Sequence, residues 1–304
     1  MKSIVIIGAN SYIARNMLVV LKTKYPHGKL KLYDYADKQI DGDERYTKVN
    51  VLDVQDVKKI DMKCDAIFMF VGKTGSLEGF DNVKDFIDIN ELALLNILNE
   101  YRNQNSYAKI IFPSTRLVYK GEKGGLSEES EKEFKTIYAI NKFACEQYLQ
   151  QYYRVFGVKY CILRICIPYG TLIPNVYSYG TVEFMLRKAQ NGENITLYGG
   201  GSVRRTLIFI EDLCNLFIKI VDVEECKNDV YNIGGEDYSL KEMAEMIGHS
   251  YGVSVKKVKY PEIAEKIESG DTVFDDTKLQ KLIHYKYAGR FSNWVKGLQL
   301  KGRK

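Results

Sequence analysis

Apolar residues follow two alternating rhythms along this chain. Ser3–Ile7 (SIVII), Ala66–Val71 (AIFMFV), Lys109–Phe112 (KIIF) and Val158–Ile165 (VKYCILRI) are short, nearly unbroken apolar runs, the pattern of strands buried on both faces. Lys29–Tyr33 (KLKLY) and Arg45–Val51 extend the series. Between these runs apolar side chains recur every three or four residues, as on one face of a helix. They are Ile13, Met17, Leu18 and Leu21 after the first run, and Val83, Phe86, Ile87, Leu94, Leu95 and Leu98 within a long helix expected over 81–101. Phe134, Tyr138, Cys145, Tyr148 and Leu149 mark another within 127–153, and a short helix is expected after Asp53. Strand–helix alternation through the first five strands predicts a parallel, doubly wound α/β sheet with right-handed crossovers.

Past residue 166 the alternation loosens. Helices are expected over 182–190, 213–221, 240–247 and from Ser292, and strands over 195–198, 205–210 and 229–233. Glycines at 199–201 and 234–235 are the natural crossing points between a large first lobe and a smaller C-terminal α/β lobe. The predicted division sets 1–166 plus about 207–234 against 167–206 plus 235–304.

Composition narrows the classes. A chain of 304 residues with 45% hydrophobic and 27% charged residues is that of an ordinary globular protein. No apolar run approaches the ~20 residues that span a bilayer, and the first strand starts too near Met1 for a signal peptide. The net charge of +5 is scattered; its densest cluster, Lys256, Lys257 and Lys259, reads as a solvated strand edge rather than a nucleic-acid surface. Six cysteines without a CxxC, and with no histidine at ligand spacing, argue against metal and disulfides and for a reducing, cytoplasmic setting. The three histidines sit in unremarkable contexts, which disfavours a Ser-His-Asp hydrolase.

Chemistry concentrates at the strand ends. The first strand stops at Gly8, and Gly8-Ala-Asn-Ser-Tyr-Ile-Ala14 leads directly into a helix, a geometry that aims backbone N–H groups at a pyrophosphate. Only one of three customary glycines remains; Ser11 and Ala14 are small enough to replace the others. Asp34 ends the second strand, where a carboxylate accepts hydrogen bonds from a ribose diol and repels a 2′-phosphate, favouring NAD over NADP. Gly72 and Thr115 end the fourth and fifth strands. Ligands of open α/β sheets bind beyond these ends.

Tyr138 and Lys142 stand one helical turn apart and can face one substrate, the ammonium favouring the phenolate. Tyr-x-x-x-Lys also occurs at Tyr25/Lys29 and Tyr119/Lys123, but Pro26, Gly28 and Gly121 make those stretches poor helices.

Together these residues resemble the extended short-chain dehydrogenase/reductases, within them the nucleotide-sugar epimerase/dehydratase group. SIVIIGANSYIA is similar to the opening dinucleotide turn, PSTRLVY to the hydroxyl-bearing strand end, YAINKFACE to the catalytic helix, and LYGGGSVRRTLIFIEDL to a substrate-binding segment. The resemblance implies a Rossmann-like fold and a catalytic set of Thr115, Tyr138 and Lys142. It implies NAD contacts from Gly8, Asn10, Ser11, Tyr12, Ile13, Asp34, Asn50, Val51, Phe70, Val71, Gly72 and Asn90, besides Tyr138 and Lys142. It further implies substrate contacts from Thr115, Arg205 and Asp271, no metal, and a homodimer built on the 81–101 and 127–153 helices.

Departures sharpen the expected reaction. Leu117, after Arg116, stands where the dehydratases and decarboxylases of this family carry an acid, so assisted elimination is disfavoured. Ile167 and Glu268 replace an Asn and an Arg of the diphosphate site; Arg204 and Arg187 are candidate substitutes. The leading expectation is an NAD-dependent epimerase of a nucleotide-activated sugar. A ketosugar reductase and a non-catalytic NAD-binding sensor or scaffold are the alternatives.

Overall fold

The computed structural model of the protein describes residues 2–26, 28–174 and 178–301. Seven parallel strands form the central sheet, in the spatial order Asp229–Asn232, Tyr160–Ile165, Lys109–Thr115, Ala66–Met69, Ser3–Ile7, Lys29–Asp34 and Tyr46–Lys48. The chain winds outward from Ser3–Ile7 to one edge, then returns to build the other half from Ala66–Met69. That reversal opens a crevice at the carboxyl ends of the central strands.

Alternating side chains of each strand enter opposite cores. Ile4 and Ile6 join Met17, Leu18, Leu213 and Phe217, under the helices Tyr12–Lys24 and Ile210–Asp222. Val5 and Ile7 join Leu94, Ile97, Leu98, Cys145 and Leu149, under the helices Ala93–Asn103 and Ile137–Phe156. Burial on both faces is why these strands read as continuous apolar runs.

A third core gathers Tyr169, Val182, Leu186, Ile195, Met243, Ile247 and Phe291 away from the large sheet. Its strands form a three-stranded sheet, Glu236–Ser239, Arg204–Phe209 and Ile167–Tyr169, and a parallel pair, Ile195–Tyr198 with Val255–Val258. Lys256 and Lys257 are exposed on that last strand, as a solvated edge requires.

Two expected helices are corrected. The stretch from Ser127 is not helical until Ile137, because Glu133 N–H bonds to Val118 O and Lys120 N–H to Glu131 O, tying 131–133 to the preceding segment. Thr136, in extended conformation, then caps the helix through its hydroxyl, which accepts from Ala139 N–H at 3.1 Å. The 81–101 helix is interrupted: Val83–Ile87 passes through a π-turn, Asp88–Leu92, into Ala93–Asn103. The expected strands at 45–51 and 66–71 shorten to Tyr46–Lys48 and Ala66–Met69, where parallel partners end.

Candidate active site

The crevice begins at Gly8. Its backbone has φ +87°, and a Cβ there would lie 2.6 Å from the Phe70 carbonyl carbon, so only glycine fits. Gly8 and Ala9 N–H groups both donate to Tyr33 O, holding the turn against the second strand. Ser11 then caps the Tyr12–Lys24 helix, its hydroxyl accepting from Ala14 N–H, while Ala14 is fully buried. The two replaced glycines therefore serve a cap and a close packing contact.

A cavity of about 740 Å³ follows, lined by Gly8, Asn10, Ser11, Asp34, Asn50, Val51, Phe70, Val71 and Gly72. The Asp34 carboxylate accepts from Asn10 and Tyr35 N–H groups, which fixes its orientation at the cavity wall and leaves acceptor sites for a diol. A second cavity of about 380 Å³ shares Ser11, Phe70, Val71 and Gly72 with it and adds Tyr12, Ile13, Thr115, Tyr138 and Lys142. The helix beginning at Tyr12 leaves its first N–H groups without intrahelical partners, and no acidic residue occupies its first turn. An acceptor at one end, orphan donors in the middle and a titratable pair at the other end fit a dinucleotide.

The π-turn places Asn90 beneath this junction. Asn90 is buried, its Oδ1 accepts from Lys73 N–H at 2.9 Å, and its Nδ2 donates to Lys73 O. It thereby fixes the loop after Gly72 instead of lining either cavity. π-turns inside helices often occur at functional sites, because the extra residue redirects one side chain.

Thr115, Tyr138 and Lys142 converge on the second cavity. Lys142 is almost fully buried; its ammonium donates to Pro113 O at 2.9 Å and lies 4.5 Å from the centre of the Phe112 ring. Burial pulls it down to about 8, with Cys145 and Glu146 opposing. The net shift of the Tyr138 phenol is upward in this arrangement. Burial holds the phenol above its ordinary value, with Tyr179 adding to the rise, while the Thr115 hydroxyl and the Arg116 guanidinium oppose it. Lys142 is engaged with a carbonyl, and the Arg116 guanidinium favours the phenolate.

The buried ammonium should cost stability. A displacement to about 8 corresponds to roughly 3 kcal/mol. The folded protein then binds fewer protons than the unfolded chain between about pH 8 and 10, so stability rises across that window and the cost is complete below pH 8. Lys142→Met should raise the unfolding free energy of the ligand-free protein by about 1–3 kcal/mol at pH 7, a gain that shrinks toward pH 10. Urea titrations at both pH values test this; a variant no more stable than the parent at pH 7 refutes it.

Of the expected substrate residues, Thr115 lines the second cavity, whereas Arg205 and Asp271 lie elsewhere. Arg205 is 1% exposed, pairs with Glu268 at 2.5 Å, and bonds to the carbonyls of Arg204 and Gly270; it lines neither cavity. Asp271 accepts from Arg204 N–H at 2.8 Å. The candidate substitutes are corrected: half-buried Arg204 pairs with Asp237 and Glu242, and exposed Arg187 with Glu183. Ile167 is buried in the strand beside Leu207.

Two contributors escaped the sequence reading. The Tyr179 ring stacks on Tyr12, centroids 5.2 Å apart, and its hydroxyl shares a 2.7 Å hydrogen bond with Thr74, closing one side of the second cavity. It lies in an irregular stretch with no periodic signal. Arg116 was visible only as a departure at a position next to Thr115.

Comparisons with known proteins agree with this architecture. A CDP-paratose 2-epimerase of Salmonella typhi is 26% identical over 223 residues, covering 65% of this chain and 66% of its own. A UDP-N-acetyl-alpha-D-glucosaminuronate decarboxylase of Bacillus cytotoxicus is 24% identical over 260 residues, covering 83% of this chain and 78% of its own. For two of the curated relatives, the match spans only 66% and 54% of the relative's length. A dTDP-glucose 4,6-dehydratase of Streptomyces venezuelae, solved with NAD and TYD bound, superimposes with TM-score 0.84 at 20% identity over 99% of this chain and 97% of that one, which shows the shared fold. The model of the NAD dependent epimerase/dehydratase family matches residues 4–234, and the chain belongs to that family.

Proposed function

We propose that the protein is an epimerase of a nucleotide-activated sugar, working through transient oxidation of one sugar carbon with NAD. The observation that carries this reading is the composition of the catalytic cavity. Thr115, Tyr138 and Lys142 line it together, and no carboxylate does so among the described residues. Proton transfer to and from an alcohol needs only the hydroxyl, phenol and ammonium; expelling water from a ketosugar needs an acid as well. Leu117 and Arg116, directly after Thr115, supply none.

In this reading Tyr138, as phenolate, removes the proton from the reacting sugar hydroxyl, and Thr115 hydrogen-bonds the same oxygen. NAD, held by the residues lining the first cavity, would supply the hydride acceptor for the oxidation and the hydride donor for its reversal on the opposite face. Lys142 leaves Pro113 O to hold the cofactor ribose and favour the phenolate. Residues 1–166 with about 207–234 form the cofactor domain, and 167–206 with 235–304 the substrate lobe. Exposed Val83, Ile87 and Ile140, on helices flanking the crevice, support a homodimer.

Incubation with UDP-, dTDP-, GDP- and CDP-sugars should give an isomer of unchanged mass from at least one, without net consumption of NAD, and light scattering should return twice the chain mass. No isomer from any of them removes the nucleotide-sugar reading. A preparation free of tightly held NAD that turns over only with added NADPH replaces epimerisation by reduction.

A further inference from the structure

Arg116 is a cation without a carboxylate of its own. It borders a third cavity, of about 290 Å³, together with Leu117, Phe184, Tyr198, Tyr260 and Glu268. One guanidinium nitrogen donates to Ser269 Oγ at 2.7 Å, and no ion pair involving it is formed among the described residues. The carboxylate that lines the same cavity is already committed, since Glu268 pairs with Arg205 at 2.5 Å and accepts from Gly270 N–H at 3.1 Å. Two guanidinium groups thus stand near one carboxylate that pairs with only Arg205, leaving an excess positive charge at the cavity wall.

Burying that charge without an ion-pair partner is costly. Burial pulls the Arg116 guanidinium down to about 10, and the neighbouring Arg205 adds to the effect. An unpaired cation in a half-buried site is relieved by an anion that brings its own acceptors, and a guanidinium fork matches the two oxygens of a phosphate or carboxylate. Three aromatic rings, Phe184, Tyr198 and Tyr260, line the same cavity and offer flat apolar faces. Arg116 follows Thr115 directly, so this cavity and the one lined by Thr115 and Tyr138 are walled by adjacent residues of the chain, and the Arg116 charge reaches the Tyr138 phenol.

We propose that Arg116 is the anion-recognising residue of the substrate cavity, binding an oxyanion of the substrate beside the catalytic Tyr138, in the role left open by Glu268. The inference rests on the nucleotide-sugar reading for its natural ligand. Two groups share the required chemistry, the diphosphate of the nucleotide and a carboxylate on the sugar.

Binding to the holoprotein is measured by calorimetry for UDP-glucose, UDP-glucuronic acid, UDP and inorganic pyrophosphate, in the parent, Arg116→Gln and Arg116→Lys. Arg116→Gln should weaken binding at least tenfold, with Arg116→Lys intermediate and thermal unfolding of both variants near that of the parent. An equal loss on UDP-glucose, UDP and pyrophosphate assigns the diphosphate; a loss confined to UDP-glucuronic acid assigns the sugar carboxylate. Pyrophosphate binding that depends on Arg116, without binding of either nucleotide sugar, would remove the proposed function and leave this inference standing. Affinities of Arg116→Gln within twofold of the parent for every probe overturn it, as does a parent that binds none of the four.

Discussion

Tyr138→Phe should lower turnover by about a thousandfold while leaving NAD binding and thermal stability near those of the parent, since general-base catalysis contributes ~10²–10⁴-fold. The substitution keeps the ring in the same cavity wall and removes only the hydroxyl that Thr115 and Arg116 act upon. Its effect belongs in kcat more than in KM, because the proton transfer it abolishes occurs only in the transition state. Steady-state assays on the sugar identified by the substrate panel, with cofactor binding followed by fluorescence, make the test. Activity above a tenth of the parent would show that another group removes the proton.

The second large effect is on folding. Glu146 is fully buried one turn beyond Lys142, and it pairs with buried Arg164 through contacts of 2.6 and 3.0 Å. Ser114 donates to the same carboxylate, and Arg164 continues to the Tyr119 hydroxyl at 2.7 Å and to Glu128 O. This network fastens the helix that carries Tyr138 and Lys142 to the strand that ends in Thr115. Glu146→Gln leaves the guanidinium charged and unpaired, and should cost about 3–5 kcal/mol of stability in urea unfolding. Glu146→Leu combined with Arg164→Met should recover much of that loss, because neither charge is then buried. A loss below about 1 kcal/mol for Glu146→Gln would mean that water or a shifted chain satisfies Arg164. Turnover should fall with stability in the single variant, as Ser114 and Lys142 lose their shared support.

The same network accounts for a decoy in the sequence. Tyr119 and Lys123 share the spacing of Tyr138 and Lys142, yet the Tyr119 hydroxyl is consumed by Arg164 and Asn232 in the interior, and Lys123 is exposed. Spacing alone names a pair of positions; it does not place them on a helix at a cavity.

How much was legible depends on whether the signal was local. Apolar runs, turn glycines and helical periodicity arise from residues near in sequence. Ser3–Ile7 and Ile195–Tyr198 were therefore readable to the residue, and the doubly wound order of the sheet followed from their alternation. Gly8, Asp34, Gly72 and Thr115 were readable as strand ends for the same reason. The sequence by itself determined the family fold, the small-residue turn after the first strand, and which hydroxyl, phenol and ammonium line one cavity.

Contacts between distant segments decided the rest. The helix start at Ile137 depends on hydrogen bonds from 131–133 to the segment around Val118, which no local propensity encodes. The π-turn at Asp88–Leu92 depends on Asn90 bonding the loop at Lys73. Arg205 could be named as a substrate residue from its segment, but its partner Glu268 lies 63 positions away, and their pairing buries it. Only the tertiary structure moved the free positive charge from Arg205 to Arg116, because charge pairing is settled by which side chains meet in space and not by their order in the chain.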